Sequence, residues 1–422
     1  MNTPNLGTPR FSSHRSHTTS EEVRIPQRIE VGADPGSTFE LAGPRAQLFF
    51  EGPRTRAGIV TCGGLCPGLN NVIRSAFLEL HYGYGVAEVI GFRGGYAGLD
   101  PDTSLPPVVI TPELVDSIHL SGGTILGSSR GPVDIGRAVD NLIARNIDML
   151  FTVGGDGTQR GANALFDEAS RRGHRLAVVG IPKTIDNDVQ FVSRTFGFMT
   201  AVEEAVRVIQ CAHTEVRSVP GGIAVVKLMG RHAGFITVGA TVASQDVNFA
   251  LIPEVPFELP VLLTALERRM RERSHAVIAV AEGAGQELFA GEPAQRDASG
   301  NVKLRDIGQY LRTQIESHFA ARAIPAVLRY FDPSYLIRSR PANCEDAVLC
   351  DQLARHAVHA AMAGKTGLVI GFLHDRFIHV PIALLTAGSR RVDPAGDGWR
   401  SVLAATGQPR LSYAEGGYRV DG

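Results

Sequence analysis

Short apolar runs alternate with amphipathic stretches along most of this chain. Runs at 57–61, 87–92, 147–153 and 176–181 are dominated by Val, Ile, Leu, Phe and Ala, and most lead into glycine- or Pro/Asp/Asn-rich turns. Runs of that length and composition predict buried strands. Between them, 71–80, 133–145 and 159–169 return apolar residues every three to four positions and predict helices. Repeated strand–helix units imply a parallel sheet covered on both faces. A long helix at 196–213 leads into a second unit of the same style, with strands at 223–227, 250–252, 276–281 and 326–330 and helices between them. A helix at 343–362 and a strand at 367–372 then bring the chain back to the first unit. No sequence repeat relates the two units.

The ends of the chain break this pattern. Residues 1–38 are rich in Ser, Thr, Pro, Arg and His with little apolar periodicity, which predicts a disordered arm. They lack the apolar centre of a secretory signal and read as an ordinary tail rather than a transit peptide. The stretch 285–303 is polar and predicts an exposed loop. The last thirty or so residues are Gly/Pro-rich and read as a tail.

Composition narrows the class without changing the fold. The 422 residues are 44% hydrophobic and 20% charged, as in a globular protein with two or three domains' worth of core. A formal net charge of −1 argues against a nucleic-acid partner, and no apolar run is long enough to span a bilayer. Five scattered cysteines suit reduced thiols in the cytoplasm better than a disulfide framework. Cys62 and Cys66 have no companion ligand cluster and read as loop and packing thiols.

The chemistry gathers where predicted strands end. After 147–153 come Gly154-Gly155-Asp156-Gly157-Thr158, then a helix. Glycines admit a ligand close to the backbone, and a helix N-terminus attracts anions, so this turn suits phosphate. Asp156 would repel that phosphate unless a metal ion lies between them. The alternative is a plain strand-to-helix turn. Gly63-Gly64-Leu65-Cys66-Pro67-Gly68 follows the opening strand and also suits phosphate or a simple turn. Small residues around Arg130, in Gly122-Gly123-Thr124-Ile125-Leu126-Gly127-Ser128-Ser129-Arg130, offer a guanidinium to a phosphoryl group.

The run Lys183-Thr184-Ile185-Asp186-Asn187-Asp188 places two carboxylates just past a strand. One can deprotonate a hydroxyl while the other orients partners; helix caps are the alternative. In the second unit, Met229-Gly230-Arg231 offers an anion-binding guanidinium, and Glu282 an acceptor for sugar hydroxyls. Tyr335 and Arg338, in Asp332-Pro333-Ser334-Tyr335-Leu336-Ile337-Arg338, offer a grip on phosphate. Each is soft alone.

Together and in this order, these stretches resemble the 6-phosphofructokinase family over roughly residues 40–375. The resemblance implies an α/β fold of two Rossmann-like three-layer lobes with mostly parallel sheets. A donor lobe would hold 39–195 plus about 340–390, and a sugar-phosphate lobe 196–339, between the 1–38 arm and a 391–422 tail. It implies a cytoplasmic, glycolytic, allosteric kinase that transfers phosphoryl from ATP to the 1-hydroxyl of fructose 6-phosphate with Mg²⁺. Asp186, Arg130 and Lys183 would be catalytic, Asp186 as the base. Gly64, Arg130, Gly155, Asp156, Gly157 and Thr158 would surround ATP, with Asp156 holding Mg²⁺. Thr184, Asp186, Asp188, Met229, Gly230, Arg231, Glu282, Tyr335 and Arg338 would position the sugar phosphate. It also implies a homo-oligomer, dimer or tetramer, with no nucleic-acid or membrane partner.

Departures from the short bacterial pattern resemble a longer subgroup that includes ATP and pyrophosphate users. Gly222 stands where the short enzymes carry an arginine, and Lys227 offers a substitute charge. Lys183 replaces a glycine, and Tyr335 a histidine. These departures weigh against bacterial-style regulation. Gly157 leaves room for the ATP α-phosphate and favours ATP, whereas Lys183 is typical of the pyrophosphate-dependent enzyme, the leading alternative. The 183–188 and 332–338 stretches disfavour an NAD or lipid kinase. Retention of Asp186, Asp156 and Arg130 disfavours a non-catalytic subunit.

Overall fold

The computed structural model describes residues 3–26, 38–103, 105–290, 302–385 and 388–412. Two compact units form: Met1–Met199 with Arg338–Arg390, and Thr200–Ile337 with Arg391–Gly422. In chain order, the first unit contributes β1 (Phe11–Ser12), β2 (Arg24–Pro26), β3 (Thr38–Leu41), β4 (Gln47–Leu48) and β5 (Arg56–Thr61). It continues with β6 (Glu88–Phe92), β7 (Val108–Val109), β8 (Met149–Gly154) and β9 (Ala177–Pro182). The second unit holds β10 (Gly222–Leu228), β11 (Phe249–Leu251), β12 (His275–Ala281) and β13 (Val327–Phe331). The chain returns to the first unit with β14 (Leu368–Leu373) and β15 (Arg376–Pro381).

The first unit's main sheet runs β2-β3-β15-β14-β9-β8-β5-β6-β7. Its centre, β14 to β6, is parallel, and the flanking strands are antiparallel. The sheet is therefore mixed at both edges. Val60, Phe92, Leu150, Val178 and Val369 share one core with Ala138, Leu142, Ala162 and Leu165 from the helices Ile135–Ala144 and Asp156–Arg171. Their strand neighbours Ile59, Phe151 and Val179 point the other way and are equally buried. Burial of both faces explains why these strands read as unbroken apolar runs. Register places Thr61 beside Val153 and Gly154 beside Pro182. The turns after β5, β8 and β9 thus leave from one sheet edge, where ligands of such folds bind.

The second unit's sheet, β11-β12-β10-β13, is parallel throughout. Leu228 lies beside Ala281 and Val226 beside Phe331, so the segments beginning at Met229, Glu282 and Asp332 also share an edge.

Both expected tails need correction. Residues 3–26 are held by hydrogen bonds and charge rather than by an apolar stripe, so burial periodicity does not reveal them. β1 pairs with β4, and Leu6 N–H donates to the Gly364 carbonyl at 2.8 Å. Arg15 pairs with Glu79 and lies 4.4 Å from the centre of the Tyr84 ring. The rest of the expected arm, 27–37, lies outside the described residues. In the C-terminal stretch, the helix Asp397–Thr406 buries Trp399 and Val402, and Leu411 joins the second unit's core. The expected loop at 285–303 lies mostly outside the described residues, apart from the turn Gln286–Phe289 and residues 302–303.

A buried polar cluster supports the first unit. Glu40 accepts hydrogen bonds from Arg45 at 2.9 Å, and its carboxylate lies 3.2 Å from the Lys365 ammonium and 3.6 Å from His379. Burial raises its carboxyl, but His379, Thr3 and Lys365 outweigh that and hold it far below the usual range. Nearby, His356 stacks on Phe377 with ring centres 4.5 Å apart. Burial first, then the His379 and Arg45 charges, depress its imidazole to about 4. A histidine depressed on folding binds its proton in the unfolded chain first, so stability is full above about pH 6.5 and falls as pH drops toward 4. At pH 5 His356 alone costs about 1–2 kcal/mol. His356→Phe keeps the ring stack and removes the titration. Thermal unfolding should show a smaller loss of midpoint between pH 7 and pH 5 for this variant, by roughly 2–4 °C per kcal/mol. Equal losses would remove His356 from the acid response.

Candidate active site

The turn after β8 is shaped by sterics before chemistry. A Cβ on Gly154 would lie 2.1 Å from the Thr158 hydroxyl, so only glycine fits. Gly155, in extended backbone, caps the helix Asp156–Arg171. The Gln159 amide donates to the Gly154 carbonyl at 3.0 Å, and the Tyr96 hydroxyl donates to that of Thr158 at 2.6 Å. These bonds fix the first helical turn, whose leading N–H groups have no intrahelical acceptor and can meet an anion. At Gly157 an added Cβ would meet only Arg160, at 3.8 Å.

The turn after β5 lies alongside. Gly63 has φ +84°, in the left-handed region. Its carbonyl accepts the Ser128 hydroxyl at 2.6 Å, and its N–H donates to the Ser129 carbonyl at 3.2 Å. These contacts bring the 122–130 stretch to the same edge, with Arg130 Nη2 3.0 Å from where a Gly64 Cβ would stand. The buried Lys183 donates from Nζ to the Gly64 carbonyl at 2.6 Å. Burial pulls its ammonium below the ordinary lysine range, and the Arg130 and Arg338 guanidiniums push the same way. Three cations thus act on one another beside two glycine turns. Such an arrangement suits a polyanion.

The loop after β9 carries the carboxylates. Lys183 N–H donates to the Gly154 carbonyl at 3.0 Å, joining this loop to the phosphate-type turn. Thr184 Oγ1 donates to Asp188 Oδ1 at 2.8 Å and accepts the Asp186 N–H at 3.1 Å. Thr195 closes the loop, its hydroxyl donating to the Thr184 carbonyl at 2.7 Å and its N–H to Asn187 Oδ1 at 2.9 Å. Asn187 takes φ +57°, which its short amide tolerates. Solvent reaches Asp156, yet its carboxyl is raised, first by the surrounding protein and next by the Asp188 charge. A divalent cation relieves such a carboxylate pair, so these residues fit Mg²⁺. Among the described residues no group of three or more His, Cys, Asp or Glu forms a metal cage.

In the second unit Met229 is buried, and Gly230 has φ +126°, where a Cβ would crowd the Ala233 carbonyl at 2.7 Å. Arg231 Nη2 donates to the Val302 carbonyl. Glu282 N–H donates to the Leu228 carbonyl at 2.8 Å, and Gly283 N–H to that of Gly230 at 3.1 Å, binding the two segments together. Tyr335 is 82% exposed. Lys227, expected to offer a substitute charge, is held within the second unit. Its ammonium pairs with Asp332 at 2.8 Å and Asp306 at 3.1 Å. At Gly222 any side chain would meet the Val216 carbonyl at 2.2 Å, so the missing arginine has no room.

The structure thus gathers Gly64, Arg130, Gly155, Asp156, Gly157, Thr158, Lys183, Thr184, Asp186, Asp188 and Arg338 in the first unit. Met229, Gly230, Arg231, Glu282 and Tyr335 belong to the second. Ser128, Gln159 and Thr195 escaped sequence reasoning. Their hydroxyl and amide bonds to backbone leave no pattern, although Ser128 lies within a stretch singled out for Arg130. Cys66 donates to the Phe196 carbonyl at 3.3 Å, and burial pushes its thiol up to about 12, as a packing thiol should behave.

A family model described as "Phosphofructokinase" matches residues 56–361. The ATP-dependent 6-phosphofructokinase of Borreliella burgdorferi is 45% identical over 412 residues, covering 94% of this chain and 92% of its own. That of Amycolatopsis methanolica is 49% identical over 381 residues, covering 88% and 83%. Among solved structures, the pyrophosphate-dependent phosphofructokinase of Marinobacter aquaeolei superposes with a TM-score of 0.69 over 87% of this chain and 95% of its own. At 20% identity that likeness speaks for the fold alone.

Proposed function

This chain belongs to the phosphofructokinase family, and from that premise we infer that it phosphorylates the 1-hydroxyl of fructose 6-phosphate with ATP, giving fructose 1,6-bisphosphate. One observation supports this reading most. Within a single unit, the Gly154–Thr158 turn, the Arg130–Lys183 pair at Gly64 and the Thr184–Asp188 loop leave adjacent strand ends.

Asp186 accepts the proton of the 1-hydroxyl as its oxygen attacks the γ-phosphorus in line and ADP departs. Gly64, Gly155, Gly157 and Thr158 receive the donor phosphates, while Arg130 and Lys183 stabilise charge on the transferring group. Asp156, beside Asp188, would hold Mg²⁺, which when bound neutralises phosphate charge. Thr184, Asp188 and Arg338 serve the sugar phosphate, as do Met229, Gly230, Arg231, Glu282 and Tyr335 on the second unit's sheet edge. Phosphoryl transfer needs this positioning and neutralisation more than covalent chemistry. By the same family reading the active form is a cytoplasmic homo-oligomer, dimer or tetramer. Among the described residues no helix is long and apolar enough to cross a membrane.

The test is a coupled assay of fructose 1,6-bisphosphate formation with ATP or pyrophosphate, titrated with Mg²⁺, for the wild type and Asp156→Asn. ATP should be the better donor for the wild type. The amide, a poor ligand for a hard cation, should raise the Mg²⁺ requirement about tenfold or more and lower the rate with it. Preference for pyrophosphate would replace the donor assignment with the alternative that Lys183 favours. An unchanged Mg²⁺ titration would remove Asp156 from the metal site.

A further inference from the structure

The loop that carries Asp186 has no regular secondary structure from Thr184 to Phe196, apart from single bridges. It holds two non-glycine residues in the left-handed region, Asn187 at φ +57° and Phe191 at +59°. Such backbone persists only where surroundings over-determine it. Part of the restraint is apolar: Val189 and Val192 are buried in the first unit's core. Thr195 and Asn187 bind across the loop, and a further polar restraint comes from almost two hundred residues away, in the last three residues of the first unit. Val189 and Ser389 form an antiparallel bridge, and Arg390 N–H donates to the Asp188 carbonyl at 2.8 Å. Arg390 Nη1 reaches the other arm of the loop, donating to the Ser193 carbonyl at 2.7 Å and to that of Val192 at 3.3 Å.

We propose that Arg390 is a positioning residue for phosphoryl transfer, clasping both arms of the 184–195 loop so that the Asp186 carboxylate is held toward the substrate hydroxyl. The inference rests on the reading of Asp186 as the base. A continuous series of bonds joins the two residues. The guanidinium shares the Ser193 carbonyl with the Asn187 side-chain amide, which donates to it at 3.3 Å, and Asn187 follows Asp186 directly in the chain; the Arg390 N–H adds a second path through the Asp188 backbone. A guanidinium suits the task because its planar fork presents several N–H groups to neighbouring carbonyls at once. Arg390 touches no reacting atom in this account. Its effect is exerted through loop geometry, where a displacement near 1 Å costs a reaction about 10²-fold.

The effect should therefore be conditional on Asp186. Arg390→Ala keeps the backbone N–H bond to Asp188 and deletes only the guanidinium. Turnover should fall about 10²-fold, with KM for ATP changed less than about threefold. Arg390→Lys, which retains a cationic donor group, should recover most of the loss, and Arg390→Gln, which does not keep the charge, carries the same test if the alanine variant does not fold. The deciding measurement is kcat of Asp186→Ser with and without the Arg390 substitution. If Arg390 acts through Asp186, its removal should change kcat of the Asp186→Ser enzyme less than about threefold, because residues acting as a unit are not additive. An undiminished loss in that background would overturn the positioning role while leaving the base assignment intact. Near-wild-type turnover of Asp186→Ser alone would instead overturn the base assignment on which the inference rests. Unchanged turnover in a folded Arg390→Ala or Arg390→Gln variant would overturn the proposal directly.

Discussion

Asp186→Ser should lower turnover about 10²–10⁴-fold, the range that general-base help typically contributes. Binding of fructose 6-phosphate should change little. Serine occupies less space than aspartate and leaves the backbone N–H free to keep its bond to Thr184 Oγ1. The Thr195 and Asn187 bonds that shape the loop do not involve the Asp186 side chain. The substitution therefore removes a proton acceptor without dismantling its support. It also removes a negative charge from a site that receives two phosphorylated substrates, so affinity for either should be unchanged or stronger. The expected signature is a fall in kcat with KM for fructose 6-phosphate equal or lower, read from steady-state kinetics at saturating Mg²⁺. A variant that kept turnover within threefold of wild type would exclude Asp186 as the base. A large rise in KM with kcat preserved would make Asp186 a binding residue instead.

Gly157→Asp should lower kcat/KM for ATP about 10²-fold and affect fructose 6-phosphate far less. An added Cβ meets only Arg160, at ordinary contact distance, so the backbone there admits a side chain. The new carboxylate then stands in the first turn of the Asp156–Arg171 helix, beside an Asp156 carboxyl already raised by the surrounding protein and by Asp188. Two like charges about 5 Å apart repel by about 3 kcal/mol at an effective dielectric near 20, or about 10²-fold. In the proposed mode of donor binding, ATP would bring its α-phosphate toward that carboxylate, whereas pyrophosphate would end before it. Lys183 is already present to meet a compact donor. The ratio of kcat/KM for ATP to that for pyrophosphate, in wild type and variant, reads the effect. An unchanged ratio would move residue 157 away from the α-phosphate.

How much of this was legible in the sequence depended on what held each part together. The buried parallel strands announce themselves because both faces are apolar: the run read at 147–153 becomes Met149–Gly154, and that at 176–181 becomes Ala177–Pro182. β15 was missed because its hairpin turns through His374 and Asp375, both at positive φ, where Asn-Gly is the usual signal. β1 and β2 were missed because they are short and held by backbone hydrogen bonds and Arg15 rather than by apolar periodicity. The donor turn was legible because sterics demand its glycines, as at Gly154. The charge of Lys227 was readable but its partners were not, because Asp306 and Asp332 lie 79 and 105 residues further along the chain. Arg390 was invisible for the same reason: a guanidinium on distant carbonyls leaves no local motif.

The pairing of β9 with β14 has a consequence for how the protein is made. β9 ends at residue 182 and β14 begins at 368, a gap of 186 positions (368 − 182). At about 5–20 residues per second a ribosome needs roughly 10–40 s to cover that distance. Throughout that interval the nascent chain carries an almost wholly apolar strand with one edge lacking its native neighbour, a template for pairing with other chains. Meanwhile all four strands of the other unit's sheet, from Gly222 to Phe331, emerge and can pair. The unit that begins first in sequence is therefore the one whose sheet closes last. During synthesis the edge that carries the candidate site depends on whatever holds that strand apart, such as a chaperone, until the ribosome has passed β14 and β15.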